Sequence, residues 1–146
     1  MKDHFAGGSP VRFDSDLTGS DPAYCTAMGR VLLAHWQPEK TSSYLAKERI
    51  VPLTDKTVID RVQIRRIIEV AREDGFAICD EEAVVGGSGV AAPVFDASGE
   101  VVATLNMATI SSRFTACRQR MIDAVVKHAA ELSARLGYKP TTADKQ

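Results

Sequence analysis

The sequence predicts an α+β fold in a single domain. Three observations carry that reading. Helical spacing of apolar residues fills the first half of the chain, a period-2 pattern replaces it between residues 76 and 108, and helical spacing returns in one long closing segment. Helices, then an antiparallel hairpin, then a last helix are segregated along the chain, which is the α+β order and not a βαβ alternation. A length of 146 residues is enough to bury one core.

Residues 1–10 form a polar tail, and the alternation at Val11 and Phe13 predicts a short strand closed by the turn cluster Thr18-Gly19-Ser20-Asp21-Pro22. The first helix starts near Thr26, whose hydroxyl can cap it, and carries Met28, Val31, Leu32 and Leu33. Pro38 stops that helix and opens a second, short one that runs to about Lys47. After a loop over residues 51–59, Asp60 with Gln63 three places on forms a capping-box-like start. Ile64, Ile67, Ile68 and Ala71 then make one apolar stripe, and Gly75 ends the helix. Phe76 to Glu82 predicts a strand, followed by a flexible Gly86-Gly87-Ser88-Gly89 turn or bulge. Val90 to Phe95 and Glu100 to Ala108 are two strands joined by the hairpin turn Asp96-Ala97-Ser98-Gly99. Ile122, Val125, Ala129, Leu132 and Leu136 mark the buried seam of the last helix, which Gly137 ends. Residues 139–146 form a second tail, so the domain is expected over 11–138.

Composition narrows the function. Eighteen basic residues against nineteen acidic ones leave a net charge of -1, without the basic surplus of a domain that grips nucleic acid by itself. The local cluster Arg61, Arg65 and Arg66 is followed by Glu69, Glu73 and Asp74, the pattern of a solvated helix face. No apolar run approaches the roughly 18 to 20 residues of a membrane span, and the first residues lack a secretory signal, so a cytoplasmic location is expected. Cys25, Cys79 and Cys117 form no close pair and no metal-ligand cluster, which predicts reduced thiols, no metal and no cofactor. His4, His35 and His128 are scattered, and the glycine-rich turn lacks the Lys and Ser/Thr of a phosphate loop. A catalytic constellation is not visible. An enzyme using Cys25 or Cys79 as a reactive thiol stays open as the alternative, as does a module that only oligomerises.

Two features point to a binding pocket. The segment Tyr24-Cys25-Thr26-Ala27-Met28-Gly29-Arg30 enters a helix with small residues at Ala27 and Gly29. A helix N-terminus offers unpaired N–H groups and partial positive charge, which suit a carboxylate, though Gly29 is as well explained by close helix packing. In the last strand, Val101, Ala103, Leu105 and Met107 form the expected core face, while Val102, Thr104, Asn106 and Ala108 face solvent or a cavity. Asn106 is disfavoured in mid-strand and needs polar partners there. Asp80, at another strand end, is either an acceptor for a ligand hydroxyl or an ordinary surface carboxylate.

At these residues the chain resembles a known family. Pro22-Ala23-Tyr24-Cys25-Thr26-Ala27-Met28-Gly29-Arg30-Val31-Leu32-Leu33-Ala34 resembles the Pro-x-x-x-[Thr/Ser]-Ala-x-Gly-[Lys/Arg]-x-x-Leu-Ala signature of IclR-type effector-binding domains. Leu53-Thr54 with Thr57 and Ile59-Asp60 is similar to that family's linker. Gly75-Phe76-Ala77-Ile78-Cys79-Asp80-Glu81-Glu82 is similar to its Gly-[Tyr/Phe]-Ala-x-Asp-x-Glu strand, and Ala91-Ala92-Pro93-Val94-Phe95-Asp96 with Gly99-Glu100-Val101-Val102-Ala103 to its hairpin. Leu105 to Arg113 and Leu136-Gly137-Tyr138 complete the pattern. Tyr24-Cys25-Thr26 and Leu105-Asn106 resemble the branch that senses aromatic-acid catabolites.

The resemblance implies a GAF-like or profilin-like antiparallel sheet flanked by helices around a ligand pocket. It implies a sensor of a small organic acid that acts in a homo-oligomer, dimer or tetramer, and reaches DNA only through a separate domain. Carried over position by position, the family's ligand-binding residues are Ala27, Met28, Asp80, Gly89, Asn106 and Ala108. The chain departs from the pattern at Gly87-Ser88-Gly89, which brings no side-chain donor at Gly89, and at Ala108, where some members carry a hydroxyl. The family's winged helix-turn-helix and the first elements of its sensor domain are expected to lie outside this chain, leaving a sheet edge open.

Overall fold

The computed structural model of the protein describes residues 21–140. The strand expected at Val11 and Phe13 lies outside them. A 3-10 turn at Ala23–Cys25 leads into α1 (Ala27–His35) and α2 (Pro38–Lys47), followed by α3 (Arg61–Asp74). Three strands follow, β1 (Ala77–Asp80), β2 (Gly87–Phe95) and β3 (Val101–Ile110), and α4 (Ser111–Arg135) closes the fold. The α+β order read from the sequence is the order found.

The helix boundaries rest on short-range chemistry. Thr26 Oγ1 accepts from the Gly29 N–H at 3.1 Å, and Asp60 Oδ1 accepts from the Gln63 N–H at 2.8 Å, each satisfying a donor that the first turn leaves open. Gly75 ends α3 in the left-handed region at φ +77°, where a side chain would be strained.

The sheet is antiparallel in the order β1-β2-β3, so β2 is central. One face packs on α1 and α3 through Ala77, Cys79 and Ala91, against Val31, Leu33, Ile64 and Ile68. The other packs on α4 through Val90, Ala92 and Val94, against Phe114, Met121, Ile122, Val125 and Ala129. Burial on both faces explains why β2 is a continuous run of apolar and small residues instead of an alternation. Pro93 is tolerated in this central strand because it lies past the end of β1, whose pairing with β2 stops at Ala77↔Ala91.

Four local expectations are corrected. Gly87, Ser88 and Gly89 are not a flexible turn but the buried first part of β2. Ser88 can be buried there because its hydroxyl donates to Asp80 Oδ1 at 2.6 Å and lies 2.8 Å from Ser111 Oγ. β1 stops at Asp80, since Glu81 turns out of the strand with φ +57° and its carbonyl accepts from Thr54 Oγ1 at 2.6 Å. The expected core face of β3 is only partly buried: Leu105 packs towards α4, whereas Ala103 and Met107 are exposed. β3 is an edge strand among the described residues. In α4 the buried stripe continues from Ala129 to Ser133, and Leu132 and Leu136 are exposed. Ser133 wins that position because its hydroxyl accepts the Phe95 N–H at 2.9 Å and donates to the Ala129 carbonyl at 2.7 Å.

Candidate functional site

The entrance of α1 is held from three sides. Gly29 packs so closely on the preceding turn that a Cβ there would lie 2.3 Å from the Ala23 Cα. The Tyr24 hydroxyl donates to the Val51 carbonyl at 2.8 Å and accepts the Val51 N–H at 3.2 Å, fixing the loop before α3. Arg30, fully buried, donates from Nε to the Tyr24 carbonyl at 3.0 Å and from Nη1 to the Ile78 carbonyl at 2.9 Å. Its guanidinium also forks onto Glu82, with Nη1–Oε1 at 2.7 Å and Nη2–Oε2 at 2.5 Å. In the sequence Arg30 is only one letter of the Pro22–Ala34 signature. Its partners are 48 and 52 residues away, and no local pattern announces them.

Within this frame the first helical N–H groups have two fates. The Gly29 N–H goes to the Thr26 cap and the Arg30 N–H to the Thr26 carbonyl. The Ala27 and Met28 N–H groups make no hydrogen bond among the described residues, as expected for the first donors of a helix. Two adjacent open donors at the positive end of a helix suit one carboxylate.

The sheet brings further residues to the same side. Cys79 Sγ donates to the Cys25 carbonyl at 3.0 Å, directly before the helix, and Cys79 pairs in register with Gly89. Gly89 pairs in turn with Ala108, and Ala91 with Asn106. Residues opposite one another across strands share a face, so Asn106 and Ala108 lie on the α1 side with Ala91. A Cβ on Gly89 would sit 3.4 Å from Asn106 Oδ1 and 3.2 Å from the Met107 carbonyl. The bare glycine is therefore the space over which the Asn106 amide lies. Asn106 and Ala108 are exposed, so this is an open shelf beside the helix entrance.

Five of the six expected site residues, Ala27, Met28, Gly89, Asn106 and Ala108, thus lie on one side of the sheet. Asp80 does not join them. It is one residue beyond Cys79, and the strand alternation turns its carboxylate to the α4 side, where it holds Ser88. Cys79 takes the place expected for Asp80. The signal was present in the motif, since in Gly-[Tyr/Phe]-Ala-x-Asp-x-Glu the acidic position falls on residue 79.

Neither buried thiol is disposed to act as a nucleophile. Burial pushes Cys25 from its ordinary 9.0 up to about 12, with Cys79 adding to the effect and Arg30 opposing it. Burial raises Cys79 as well. Near neutral pH a thiol titrating at about 12 is about a thousandfold less ionised than one at 9.0. Alkylation of the native protein is therefore expected to mark the half-buried Cys117 first, with Cys25 and Cys79 reacting only after unfolding. Rapid native labelling of Cys25, read by peptide mass mapping, would restore the thiol-enzyme alternative. The same shift has a pH consequence. The unfolded chain's thiol ionises first, so this contribution is full below about pH 9 and is lost as the pH rises towards about 12.

Comparison with known proteins agrees with this architecture. Residues 3–134 match the family described as bacterial transcriptional regulator IclR C-terminal. The Pca regulon regulatory protein of Pseudomonas putida is 32% identical over 128 residues, covering 86% of this chain and 44% of that protein. The HTH-type transcriptional regulator KdgR of Escherichia coli is 30% identical over 129 residues, covering 88% and 49%. The chain thus spans about half the length of these curated relatives. Among solved structures, the Thermotoga maritima IclR superposes with a TM-score of 0.80 at 29% identity, over 92% of this chain and 55% of that one. The inducer-binding domain of a PobR double mutant from Acinetobacter, in complex with 3-hydroxybenzoic acid, gives a TM-score of 0.72 at 25% identity, over 77% and 67%. The chain belongs to the IclR family of bacterial transcriptional regulators, and its fold is that of the family's effector-binding C-terminal domain.

Proposed function

We propose that this chain senses a small organic carboxylate at the entrance of α1 and passes its occupancy to a DNA-binding domain of the complete regulator. The observation that carries this is the pair of open N–H groups at Ala27 and Met28 beside the Gly89–Asn106 shelf. The carboxylate sits on the two N–H groups, and the Asn106 amide meets a hydroxyl or carbonyl elsewhere on the molecule. Cys79, Gly89 and Ala91, buried between α1 and the Asn106 strand, bring no charge to the site, which favours a ring bearing one acid group over a second charge. Met28, half-buried at the edge, supplies an adaptable apolar wall. The ligand undergoes no chemistry. Its effect is a shift between arrangements of a homo-oligomer, bounded by how differently it binds each one. A cytoplasmic location follows from that role, and no helix among the described residues is long and apolar enough to cross a membrane.

Thermal unfolding against aromatic acids, keto-acids and dicarboxylates, at fixed chain concentration, tests this. A ligand at about 100 times its dissociation constant stabilises the native state by roughly 2.7 kcal/mol. At this chain length each kcal/mol moves Tm by about 2–4 °C. A monocarboxylic aromatic acid is expected to give the largest shift, and Asn106→Leu to remove most of it. A cooperative transition that no acid moves would leave oligomerisation as the domain's remaining role.

A further inference from the structure

The opposite end of α1 holds a second feature that the carboxylate site does not use. A cleft of about 190 Å³ opens between the last turn of α1, the first turn of α2 and the start of β3. Leu32 and Val101 supply apolar walls and Trp36 an aromatic one. The indole is held edge-on to Tyr44, with ring centroids 6.1 Å apart and planes at 86°. The Lys40 ammonium rests 3.9 Å from the indole centroid. Glu100, directly before β3, lines the same cleft. His35 lines it too, its Nδ1–H donating to the Val31 carbonyl at 2.9 Å.

The charges here have an unusual arrangement. Burial lowers the His35 pKa, so the ring is neutral at pH 7 and Lys40 and Glu100 are the charged groups of the cleft. They are opposite in sign and share one small space, yet neither makes an ion pair with any described residue. A bare anion in the cleft meets repulsion from Glu100, and a bare cation from Lys40. A molecule carrying both charges close together, with an apolar remainder, meets attraction from each and covers Leu32 and Val101.

We propose that this cleft is a second ligand site, separate from the entrance of α1, and that it takes a zwitterionic amino acid with an apolar side chain. The carboxylate pairs with Lys40, the ammonium with Glu100, and the side chain lies against Leu32, Val101 and the edge of Trp36. The neutral His35 accepts a further hydrogen bond from the ammonium. Both sites lie on the nine-residue helix α1, whose whole length is roughly 13 Å, so one rigid helix connects them.

Trp36 is the one tryptophan in the chain, and its emission therefore reports on this cleft directly. The full chain is titrated with leucine and phenylalanine, and separately with 4-methylpentanoate and phenethylamine, at constant ionic strength. The amino acids are expected to change the emission saturably, with millimolar or tighter midpoints, and the single-charge analogues to bind at least about tenfold more weakly. Lys40→Met and Glu100→Gln, both at exposed positions, are each expected to weaken binding about tenfold while Tm moves by no more than a few degrees, the lost Lys40–Trp36 contact included. Asn106→Leu is expected to leave the titration unchanged. The proposal is overturned if emission fails to respond to either amino acid, or if 4-methylpentanoate binds as well as leucine. It is equally overturned if Asn106→Leu abolishes the response, which would place the ligand at the entrance of α1.

Discussion

Replacing Arg30 with Met is expected to remove about 3–5 kcal/mol of stability, a large part of the roughly 5–15 kcal/mol that holds a domain of this kind folded. The reason is the partner left behind. Glu82 keeps only 12% of its side-chain surface in solvent, and in the native protein the Arg30 fork neutralises it. Without the guanidinium the carboxylate must either stay charged with weak hydration or take up a proton, and each costs free energy. Two backbone carbonyls, of Tyr24 and Ile78, lose their donors in the same step. Arg30→Lys restores the charge but not the fork, so it is expected to recover only part of the loss. The double variant Arg30→Met with Glu82→Met tests the cause. If the orphaned charge dominates, the double is more stable than Arg30→Met alone, although it carries more changes. Urea midpoints at unchanged m-value measure all three. A single variant within about 1 kcal/mol of the parent would show that this buried pair contributes little.

Such effects divide what the sequence could disclose from what it could not. The helix starts at Thr26 and Asp60 and the stop at Gly75 were legible because each signal and its structural consequence lie within four residues. The central strand was half legible. The run Val90 to Phe95 announced itself, but Gly87-Ser88-Gly89 looked like a turn, because a buried serine makes sense only once Asp80 and Ser111 are beside it. The phase of α4 slipped for a similar reason: a hydroxyl that caps the Phe95 N–H outcompetes a leucine for the buried position. At the candidate site, the helix entrance and the Asn106 strand were visible from residue type alone. The strand register puts Cys79 and not Asp80 on the α1 side, since neighbouring residues point to opposite faces, and this agrees with the motif, whose acidic position falls on residue 79.

Gly29→Ala separates local preference from packing in one experiment. In an isolated helix the change should stabilise by about 1 kcal/mol, because alanine restricts the unfolded chain and glycine does not. Here the added Cβ would meet the Ala23 Cα at 2.3 Å, its carbonyl oxygen at 2.4 Å and its carbonyl carbon at 2.7 Å. All three are backbone atoms, so no side-chain rotation relieves the contact. The Ala23–Cys25 turn has to move away from α1, and it carries the Tyr24 and Cys25 carbonyls that hold Arg30 and the Cys79 thiol. Overpacking of this kind costs about 1–3 kcal/mol and can exceed that where backbone is displaced. The variant is therefore expected to be less stable than the parent by about 2–3 kcal/mol, the sign opposite to helix propensity. It should also lose most of the thermal shift given by an aromatic acid, since Asn106 and the N–H pair no longer keep their spacing. A more stable Gly29→Ala protein would mean that the turn yields freely. The helix entrance would then be too soft to hold a carboxylate in a fixed place, and the sensing site would have to be sought elsewhere on the sheet.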